Sequence, residues 1–462
     1  RPAQFAAIRT DADLNELGEP IMLFCQPAPD FLPDPEACLI TGITPQQCLQ
    51  QGVPEHQFVA TIEQAFSLPG TIGVGYNTIR FDDEVTRFLF WRNLIDPYAR
   101  EWQNQCGRWD LLDVVRTAYA LRPEGIQWPT KPEGGPSFKL TDLSAANGLV
   151  HEAAHDALSD VRATIALARL IKTAQPRLFD FCLGLHKKDR VAAELGLPTT
   201  PRNARPFWHV SGMVAAERGC LALMWPLAMH PENKNELIAW DLAFDPRELE
   251  TLKPDALRLR LFSKTANLPE GMTRLPVKTI HLNKSPMVMA NLKVLSPAMA
   301  QRWGVELQAQ LRHAEWAREL PDMSAIWPDV FERPEAPAPL DVDEDLYGGF
   351  VGNADRRRLN DLRALSAQQL SNAHPAFEDA RLPELLFRYR ARNFPELLTN
   401  EESVRWEAHR AERLFDGAYG HRTVEQLFDQ IDRLSESVED ARGEAILGAL
   451  YDYAETIAPH RA

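Results

Sequence analysis

A histidine and an aspartate five positions apart, His155 and Asp160, are the first residues whose types and spacing could do chemistry. A helix with one apolar face is predicted after them, because apolar side chains recur there at helical spacing: Val161, Ile165, Leu167, Ala168 and Ile171. Asp156 or Ser159 can cap its N-terminus, where backbone N–H groups lack partners. A carboxylate there can hold a divalent cation, and a histidine on the preceding loop can accept a proton from water. The pair therefore indicates metal-assisted hydrolysis, although a helix cap beside a solvated histidine has the same spacing.

A second carboxylate lies at another predicted junction between a strand and a helix. The run 72–76 is apolar with two glycines, which is typical of a short buried strand that ends in a turn. The segment 77–82 follows this strand, and residues 84–90 have the apolar face of a helix. Asp82 and Asp160 thus each lie where a helix begins, and two such carboxylates can converge on one metal site.

At these positions the chain resembles the DEDDh superfamily of 3′→5′ exonucleases. Asn77, Phe81 and Asp82 match the second motif of that superfamily, and His155 with Asp160 matches the third. The resemblance is closer to the bacterial exonuclease I family, and it covers essentially the whole chain. Four stretches carry it: 80–87 (RFDDEVTR), 108–113 (RWDLLD), 120–126 (ALRPEGI) and 389–395 (YRARNFP).

The resemblance implies an α/β ribonuclease H-like exonuclease domain, followed by an SH3-like β-barrel segment and an α-helical C-terminal domain. Two proline-rich stretches, 197–206 and 334–339, are typical of linkers and place the boundaries. We expect the exonuclease domain over 1–196, the SH3-like domain over 197–333 and the helical domain over 334–462.

The resemblance also implies an activity, which is the 3′→5′ degradation of single-stranded DNA to mononucleotides in DNA repair and recombination. Asp82 and Asp160 would hold two Mg²⁺ ions, with Mn²⁺ as the alternative, and His155 would take the proton from the attacking water. The acidic C-terminal tail of the single-stranded-DNA-binding protein is the implied protein partner. Two other functions stay open: a catalytically inactive single-strand binder, and another DEDDh exonuclease that acts on RNA or proofreads.

One family motif is missing from the printed residues. The superfamily carries an Asp-x-Glu on its opening strand, whereas this chain begins with residues that resemble the second strand. We therefore expect the 462-residue chain by itself to be inactive or nearly so. A shortened sequence explains the absence, and a naturally inactive paralogue is the alternative.

Several basic and aromatic residues are candidates for contacts with a polynucleotide. Tyr98 and Trp102, one helical turn apart, suit stacking on unpaired bases, although both could equally be core residues. The family places a basic residue at the position of Lys139, which implies a phosphate contact. The remaining candidates are basic: Arg87, Arg116, Lys284, Arg388, Arg390 and Arg392. The last three form the densest basic–aromatic cluster around Tyr389, with ion pairs to the acidic run 341–345 as the alternative.

Composition bounds these interpretations. The chain has a formal net charge of −15 and a sequence pI near 5.4, which disfavours a uniformly basic nucleic-acid binder but permits a local basic groove. The six cysteines show neither paired nor zinc-type spacing, which favours reduced thiols. No run of 18 apolar residues occurs, so no membrane span is predicted. We expect a cytoplasmic monomer.

The remaining pattern predicts the elements that position these residues. Residues 4–9 and 21–26 read as strands, and Thr44 with Pro45 reads as the start of a helix. In the second segment, strands are predicted over 221–225, 236–242, 258–262 and 277–282, and helices over 296–320. The third segment is predicted to be helical over 354–370, 382–392, 401–415 and 423–457.

Overall fold

The computed structural model describes residues 1–149, 157–199, 203–332 and 338–459. The predicted general base His155 and the possible cap Asp156 lie outside these residues. Among the described residues, strands occur in the first two predicted segments, and the third segment is helical. None of the described helices is long and apolar enough to cross a bilayer.

The first segment contains two pairs of short strands, namely β1 (Gln4–Ala7), β2 (Ile21–Phe24), β3 (Ile72–Gly75) and β4 (Gly107–Asp110). Strands β1 and β2 are antiparallel, with Gln4 opposite Phe24. Strands β3 and β4 are parallel, with Gly75 opposite Asp110. The strands predicted over 4–9, 21–26 and 72–76 are therefore present. Because β3 and β4 run in the same direction, the residues that follow both strands meet at one edge of the sheet.

Helices surround these strands, and their starts follow ordinary capping chemistry. Thr44 accepts a hydrogen bond from the backbone of Gln47 and precedes a proline, as the sequence predicts. The helices of this segment are α1 (Pro35–Thr41), α2 (Pro45–Gln51), α3 (Glu55–Ser67), α4 (Asp82–Arg92), α5 (Ala99–Trp102), α6 (Leu111–Leu121), α7 (Leu140–Ala146), α8 (Ala157–Ala174), α9 (Pro176–Gly184) and α10 (Lys188–Leu195).

The second segment is built on a five-stranded antiparallel sheet in the order β8-β7-β6-β5-β9. Its strands are β5 (Phe207–Val210), β6 (Leu221–Met229), β7 (Glu236–Asp241), β8 (Val277–His281) and β9 (Met287–Met289). Its helices are α11 (Pro254–Phe262), α12 (Pro297–Arg302), α13 (Leu307–Glu319) and α14 (Trp327–Phe331). The sheet shares one core with the first segment, in which Trp208 and Trp240 are fully buried together with Leu111 of α6.

The strand predicted over 258–262 is wrong, because these residues form the second half of α11. Basic and apolar residues alternate there, which is the period of a strand. However, Pro254 stands at the first helical position, and Leu257 and Leu261 lie one helical turn apart. Leu257 is fully buried and Leu261 packs against the same core, so tertiary packing favours the helix.

The third segment consists of helices, as predicted: α15 (Asn353–Arg363), α16 (Ala367–Ser371), α17 (Leu382–Asn393), α18 (Asn400–Leu414), α19 (Val424–Ser435) and α20 (Ala441–Ile457). The run predicted over 423–457 is divided into α19 and α20, with Asp440 as the cap of the second helix. Helices α19 and α20 bury apolar residues against Leu32 and Cys38 of the first segment. Trp91 and Leu94 of the first segment likewise pack against Leu382 and Leu385 of α17.

Buried ion pairs join the same two segments. Arg392 of α17 donates to Asp30 at 2.7 Å and also to Asp343, and the Arg392 side chain is only 3% exposed. Within the third segment, Arg388 donates to Asp341 at 2.7 Å. Asp30 belongs to the first segment, so its ion pair with the buried guanidinium group of Arg392 holds the helical segment in place.

These arginines outweigh the effect of burial on the carboxylates. Burial by itself favours the neutral carboxyl group, but Arg392 holds the pKa of Asp30 well below its ordinary value. The pKa of Asp343 is lowered in the same way. Nearby, burial of Glu55 is opposed by Arg92, which lies 2.8 Å away, and its pKa falls from 4.5 to about 2. The interface therefore depends on charged carboxylates.

We expect the substitution Arg392→Met to raise the free energy of the native state by about 3–5 kcal/mol, because it leaves Asp30 and Asp343 buried without their main cation. Chemical denaturation of both proteins measures the difference. Arg390→Met is the matched control on the same helix, since Arg390 pairs with Glu402, whose side chain is 22% exposed. Equal losses for the two variants would contradict the role of the buried pairs.

We expect the free energy of unfolding to fall as the pH falls. A carboxyl group whose pKa is lowered by folding contributes stability above its unfolded pKa and loses it as the pH drops toward its folded pKa. For Glu55 this window extends from 4.5 to about 2. Urea denaturation at several pH values through this window tests it. Arg392→Met should show a shallower pH dependence, and an identical dependence in both proteins would argue against the network as the cause.

Candidate active site

The turn that leads into Asp82 is unusually tight. Strand β3 ends at Gly75, Asn77 has a left-handed backbone with a φ of 65°, and a single 3₁₀ turn covers Thr78–Arg80. A Cβ atom on Gly75 would lie only 2.0 Å from Cγ2 of Thr78, so the turn requires glycine there. Asp82 then begins α4, as the sequence predicts.

The surroundings of Asp82 disfavour its negative charge. Partial burial raises the pKa of Asp82 to about 6, and the carboxylates of Asp83 and Asp110 add repulsion. Water still reaches the Asp82 side chain, and screening by this water limits the effect of the neighbouring charges on its pKa. A bound cation would relieve this repulsion, so the environment of Asp82 fits a metal ligand.

The third motif is only partly described. Helix α8 begins at Ala157 and carries Asp160 in its first turn, at the predicted place. His155 lies outside the described residues, and the convergence of Asp82 and Asp160 stays a prediction. Within the described ranges, no three His, Cys, Asp or Glu side chains lie close enough together to hold a metal ion.

The loop that carries Lys139 is anchored to the same edge of the sheet. The Tyr76 hydroxyl, just after β3, donates to the Phe138 carbonyl oxygen at 2.5 Å. Lys139 directly precedes α7, and its side chain is exposed. The structure thus confirms a loop that enters a helix here, and Lys139 is accessible to a ligand.

A cleft of about 1210 Å³ lies between the first segment and the five-stranded sheet. The wall from the first segment includes Ile79 and Arg80, the residues just before Asp82. The opposite wall includes Arg274, Lys278 and Lys284. In the described part of the chain, Arg80, Arg274 and Lys278 form no ion pair, although Arg274 and Lys278 each donate to a backbone carbonyl. Lys284 lies 3.9 Å from Glu84, and its side chain is 33% exposed.

Of these four basic residues, the sequence reasoning named only Lys284. Arg274 and Lys278 precede Lys284 by ten and six positions, and this spacing could have indicated a basic surface near one strand. Arg80 lies inside the motif around Asp82, in which only the carboxylate was assigned a role. The cleft also contains five acidic residues, four of which are paired with arginines. The pairs are Asp241 with Arg218 at 2.7 Å, Asp245 with Arg247 at 2.6 Å, Asp113 with Arg116 at 2.6 Å, and Glu248 with Arg260. The fifth, Asp110, accepts backbone N–H groups.

The structure places two predicted DNA contacts of the first segment in ion pairs. Arg87 is buried and donates with all three guanidinium nitrogens, to Glu101 at 2.7 and 2.8 Å and to Glu84 at 2.8 Å. Arg116 donates to Asp113 at 2.6 Å, and its side chain is 15% exposed. Both side chains therefore serve ion pairs within the fold.

The two candidate stacking residues have different environments. The ring of Tyr98 lies 5.1 Å from the Arg87 guanidinium carbon, and Tyr98 packs against the apolar cluster of α17. Trp102 is 63% exposed. The core interpretation holds for Tyr98, whereas Trp102 remains available for stacking on a base.

The prediction that Arg388, Arg390 and Arg392 contact DNA is wrong. Arg388 and Arg392 are buried against Asp341, Asp343 and Asp30, and Arg390 pairs with Glu402. The alternative interpretation, ion pairs with the acidic run 341–345, is confirmed for Arg388 and Arg392. Burial against carboxylates leaves these guanidinium groups no surface for a phosphate.

Comparison with protein families assigns all three segments. Residues 1–168 match the family model "Exonuclease", residues 186–333 match "Exonuclease I SH3-like domain", and residues 340–457 match "Exonuclease I C-terminal domain". The domain order predicted from the sequence is therefore confirmed, with the helical domain last.

Similar proteins cover nearly the whole chain. Exodeoxyribonuclease I of Escherichia coli K12 is 44% identical over 459 residues, which are 99% of this chain and 94% of that protein. The structure of a moderately thermophilic exonuclease I from Methylocaldum szegediense superposes with a TM-score of 0.93 at 46% identity, over 99% of this chain and 96% of that one.

Solved complexes of E. coli exonuclease I show similar folds. A complex with a dA16 oligonucleotide superposes with a TM-score of 0.93 at 43% identity, over 99% of this chain and 96% of that one. A zinc-bound complex of E. coli exonuclease I with single-stranded DNA is also similar, as is an SSB/exonuclease I structure with an inhibitor. The likeness covers 99% of this chain and so includes all three segments. This chain belongs to the exodeoxyribonuclease I family.

Proposed function

We propose that this chain acts as a 3′→5′ exodeoxyribonuclease, which degrades single-stranded DNA to 5′-mononucleotides in repair and recombination. The observation that carries the proposal is the basic cleft whose wall, Ile79 and Arg80, leads directly to Asp82. A single strand in this cleft would bring its terminal phosphodiester to the helix start where Asp82 lies. The full-length likeness to an exonuclease solved with an oligonucleotide supports the same substrate.

In this proposal Asp82 and Asp160 are metal ligands and His155 is the general base. Bound Mg²⁺ ions would supply charge neutralisation at the attacking and leaving oxygens, and Mn²⁺ could replace them. The pKa of Asp82 is raised mainly by burial and further by the neighbouring carboxylates, and a bound cation would offset both effects, which supports its assignment. The remaining ligands would come from the Asp-x-Glu motif, which does not precede β1 in the printed sequence.

The strand itself would be held by charge and by stacking. Arg80, Arg274, Lys278 and Lys284 supply cations along the cleft, and each phosphate contact releases condensed counterions. Lys139 and the exposed ring of Trp102 are further contacts, to a phosphate and to a base respectively. Since stacking tolerates every base, we expect little sequence preference.

The proposal extends to partners and organisation. The SSB/exonuclease I structure supports the C-terminal tail of the single-stranded-DNA-binding protein as a partner. We keep a monomer, a cytoplasmic location, and the boundaries 1–196, 197–333 and 334–462 as predictions.

Catalysis is tested with the chain as printed and with an extended chain, which carries an opening strand with Asp-x-Glu before Arg1. We expect the extended chain to digest a 5′-labelled single strand from its 3′ end in Mg²⁺. Asp82→Asn or Asp160→Asn should each lower kcat by at least about 100-fold, because even indirect supports of a metal commonly contribute 10–100-fold. Asp361→Asn, an exposed aspartate of α15, is the control and should keep full activity.

Absence of digestion by the extended chain would overturn the enzyme assignment and leave the binder. Retention of full activity by Asp82→Asn would show that the metal site lies elsewhere. Brisk digestion by the printed chain would mean that the Asp-x-Glu carboxylates are dispensable.

The binding cleft is tested by a salt titration in the absence of metal. Affinity for a single strand falls with salt at a log–log slope of about −0.7 per phosphate contact. Replacing Arg274 and Lys278 together with alanine should make the slope shallower by up to about 1.4. Fluorescence anisotropy of a labelled oligonucleotide measures it. The control replaces the exposed Arg357 and Arg433 of the helical segment with alanine and should leave the slope unchanged. Equal slopes in all three proteins would mean that the DNA strand binds to another surface.

A further inference from the structure

The carboxylate of Asp110 binds three backbone N–H groups from two different elements. Its Oδ1 atom accepts from Asn77 at 2.8 Å and from Leu112 at 3.0 Å. Its Oδ2 atom accepts from Ile79 at 3.1 Å. The bond to Leu112 is an ordinary N-cap of α6, but the other two reach across to the turn between β3 and α4. Asp110 therefore links the end of one strand to the turn that follows its neighbour.

The position of Asp110 follows from the pairing of the two strands. Asp110 is the last residue of β4 and lies opposite Gly75, the last residue of β3. The chain leaves β3 into the tight turn with Asn77 in the left-handed region, a conformation that a residue other than glycine rarely adopts without support. The two hydrogen bonds from Asn77 and Ile79 supply that support, and Asp82 follows Ile79 by three residues.

Burial makes these hydrogen bonds hard to replace. Asp110 is 7% exposed and Ile79 is 6% exposed, so water cannot readily take over the Ile79 N–H group. A buried donor without an acceptor is costly, and the turn would shift to find one. Such a shift acts directly on the first residue of α4.

We infer that Asp110 is a positioning residue for catalysis: its carboxylate fixes the turn 77–81 and thereby sets the place of the Asp82 carboxylate. This inference rests on the proposed function. In this role Asp110 acts through the backbone of Asn77 and Ile79. Its carboxylate, with two oxygens that accept and no hydrogen that donates, matches three converging donors in a way that an amide cannot.

Two substitutions test the inference in the extended chain. Asp110→Ala removes all three hydrogen bonds. Asp110→Asn keeps one oxygen for Asn77 and Leu112 but turns an amide N–H toward the N–H of Ile79. We expect kcat to fall by up to about 100-fold in Asp110→Ala, since a displacement of about 1 Å can have that effect. The loss should be smaller in Asp110→Asn, and KM for the oligonucleotide should change less than twofold in both.

The matched control is Asp355, a buried aspartate of α15 that also holds backbone N–H groups. It accepts from Glu378 at 3.0 Å and Asp379 at 2.9 Å, and it is 1% exposed. Asp355→Ala removes comparable bonds in the helical segment, so it should lower Tm as Asp110→Ala does while kcat stays unchanged. Circular dichroism confirms that each variant is folded.

A second readout is independent of digestion. We expect Mn²⁺, titrated into the extended chain and followed by electron paramagnetic resonance, to bind at least about tenfold more weakly to Asp110→Ala and to Asp110→Asn than to the parent protein. Unchanged kcat and unchanged Mn²⁺ affinity in both variants would overturn the positioning role. If the parent itself does not digest DNA, the proposed function fails, and the Mn²⁺ affinities alone decide whether Asp110 positions Asp82.

Discussion

The guanidinium group of Arg392 lies between carboxylates of two segments, and the arrangement of the molecule depends on such buried charge pairs. Asp30 is fully buried, as is most of Asp343, so each needs a cation at hydrogen-bond distance. Apolar contacts of α19 and α20 with the first segment bury surface area, but apolar contacts alone allow one surface to shift along the other. A buried ion pair does not, because a small displacement leaves a charge without its partner. These pairs therefore fix the register in which the helical segment docks.

The same principle operates beneath α4. Asp83 is buried between Arg100 at 2.5 Å and Arg108 at 3.1 Å, and Arg108 also donates to the backbone of Asn283 in the second segment. Tyr347 of the third segment hydrogen-bonds Glu84. The first turn of α4 thus receives contacts from all three segments. The carboxyl group of Asp82 stays accessible, while the neighbouring Asp83 and Glu84 are held by ion pairs and hydrogen bonds.

Charge distribution explains how an acidic chain can present a cationic surface. Many of its arginines are buried. Arg87 and Arg388 are examples, and each neutralises a buried carboxylate. In the part of the chain that the structure describes, Arg80 and Arg274 have no carboxylate partner, and they lie on the facing walls of one cleft. The net charge of −15 describes the whole surface and says nothing about this separation.

Local patterns in the sequence determined the elements and the family. The cap at Thr44, the strand over 72–76 and the helix that begins at Asp82 all follow from capping chemistry and from side-chain period, which involve only neighbouring residues. The three-part architecture followed from the resemblance carried by 80–87, 108–113, 120–126 and 389–395. The alternating pattern over 258–262 misled for the same local reason, because a strand and a helix can share it until packing decides.

Tertiary structure alone decided which charged residues are free. Nothing in the sequence distinguishes Arg392 from Lys278, since both stand in basic surroundings with apolar neighbours. Arg392 meets Asp30, which lies more than three hundred residues away in the chain, whereas Lys278 faces a cleft. The role of Asp110 depends in the same way on the parallel pairing of β3 with β4. Burial and long-range pairing set the free energy of a charge, and both arise only when distant segments come together.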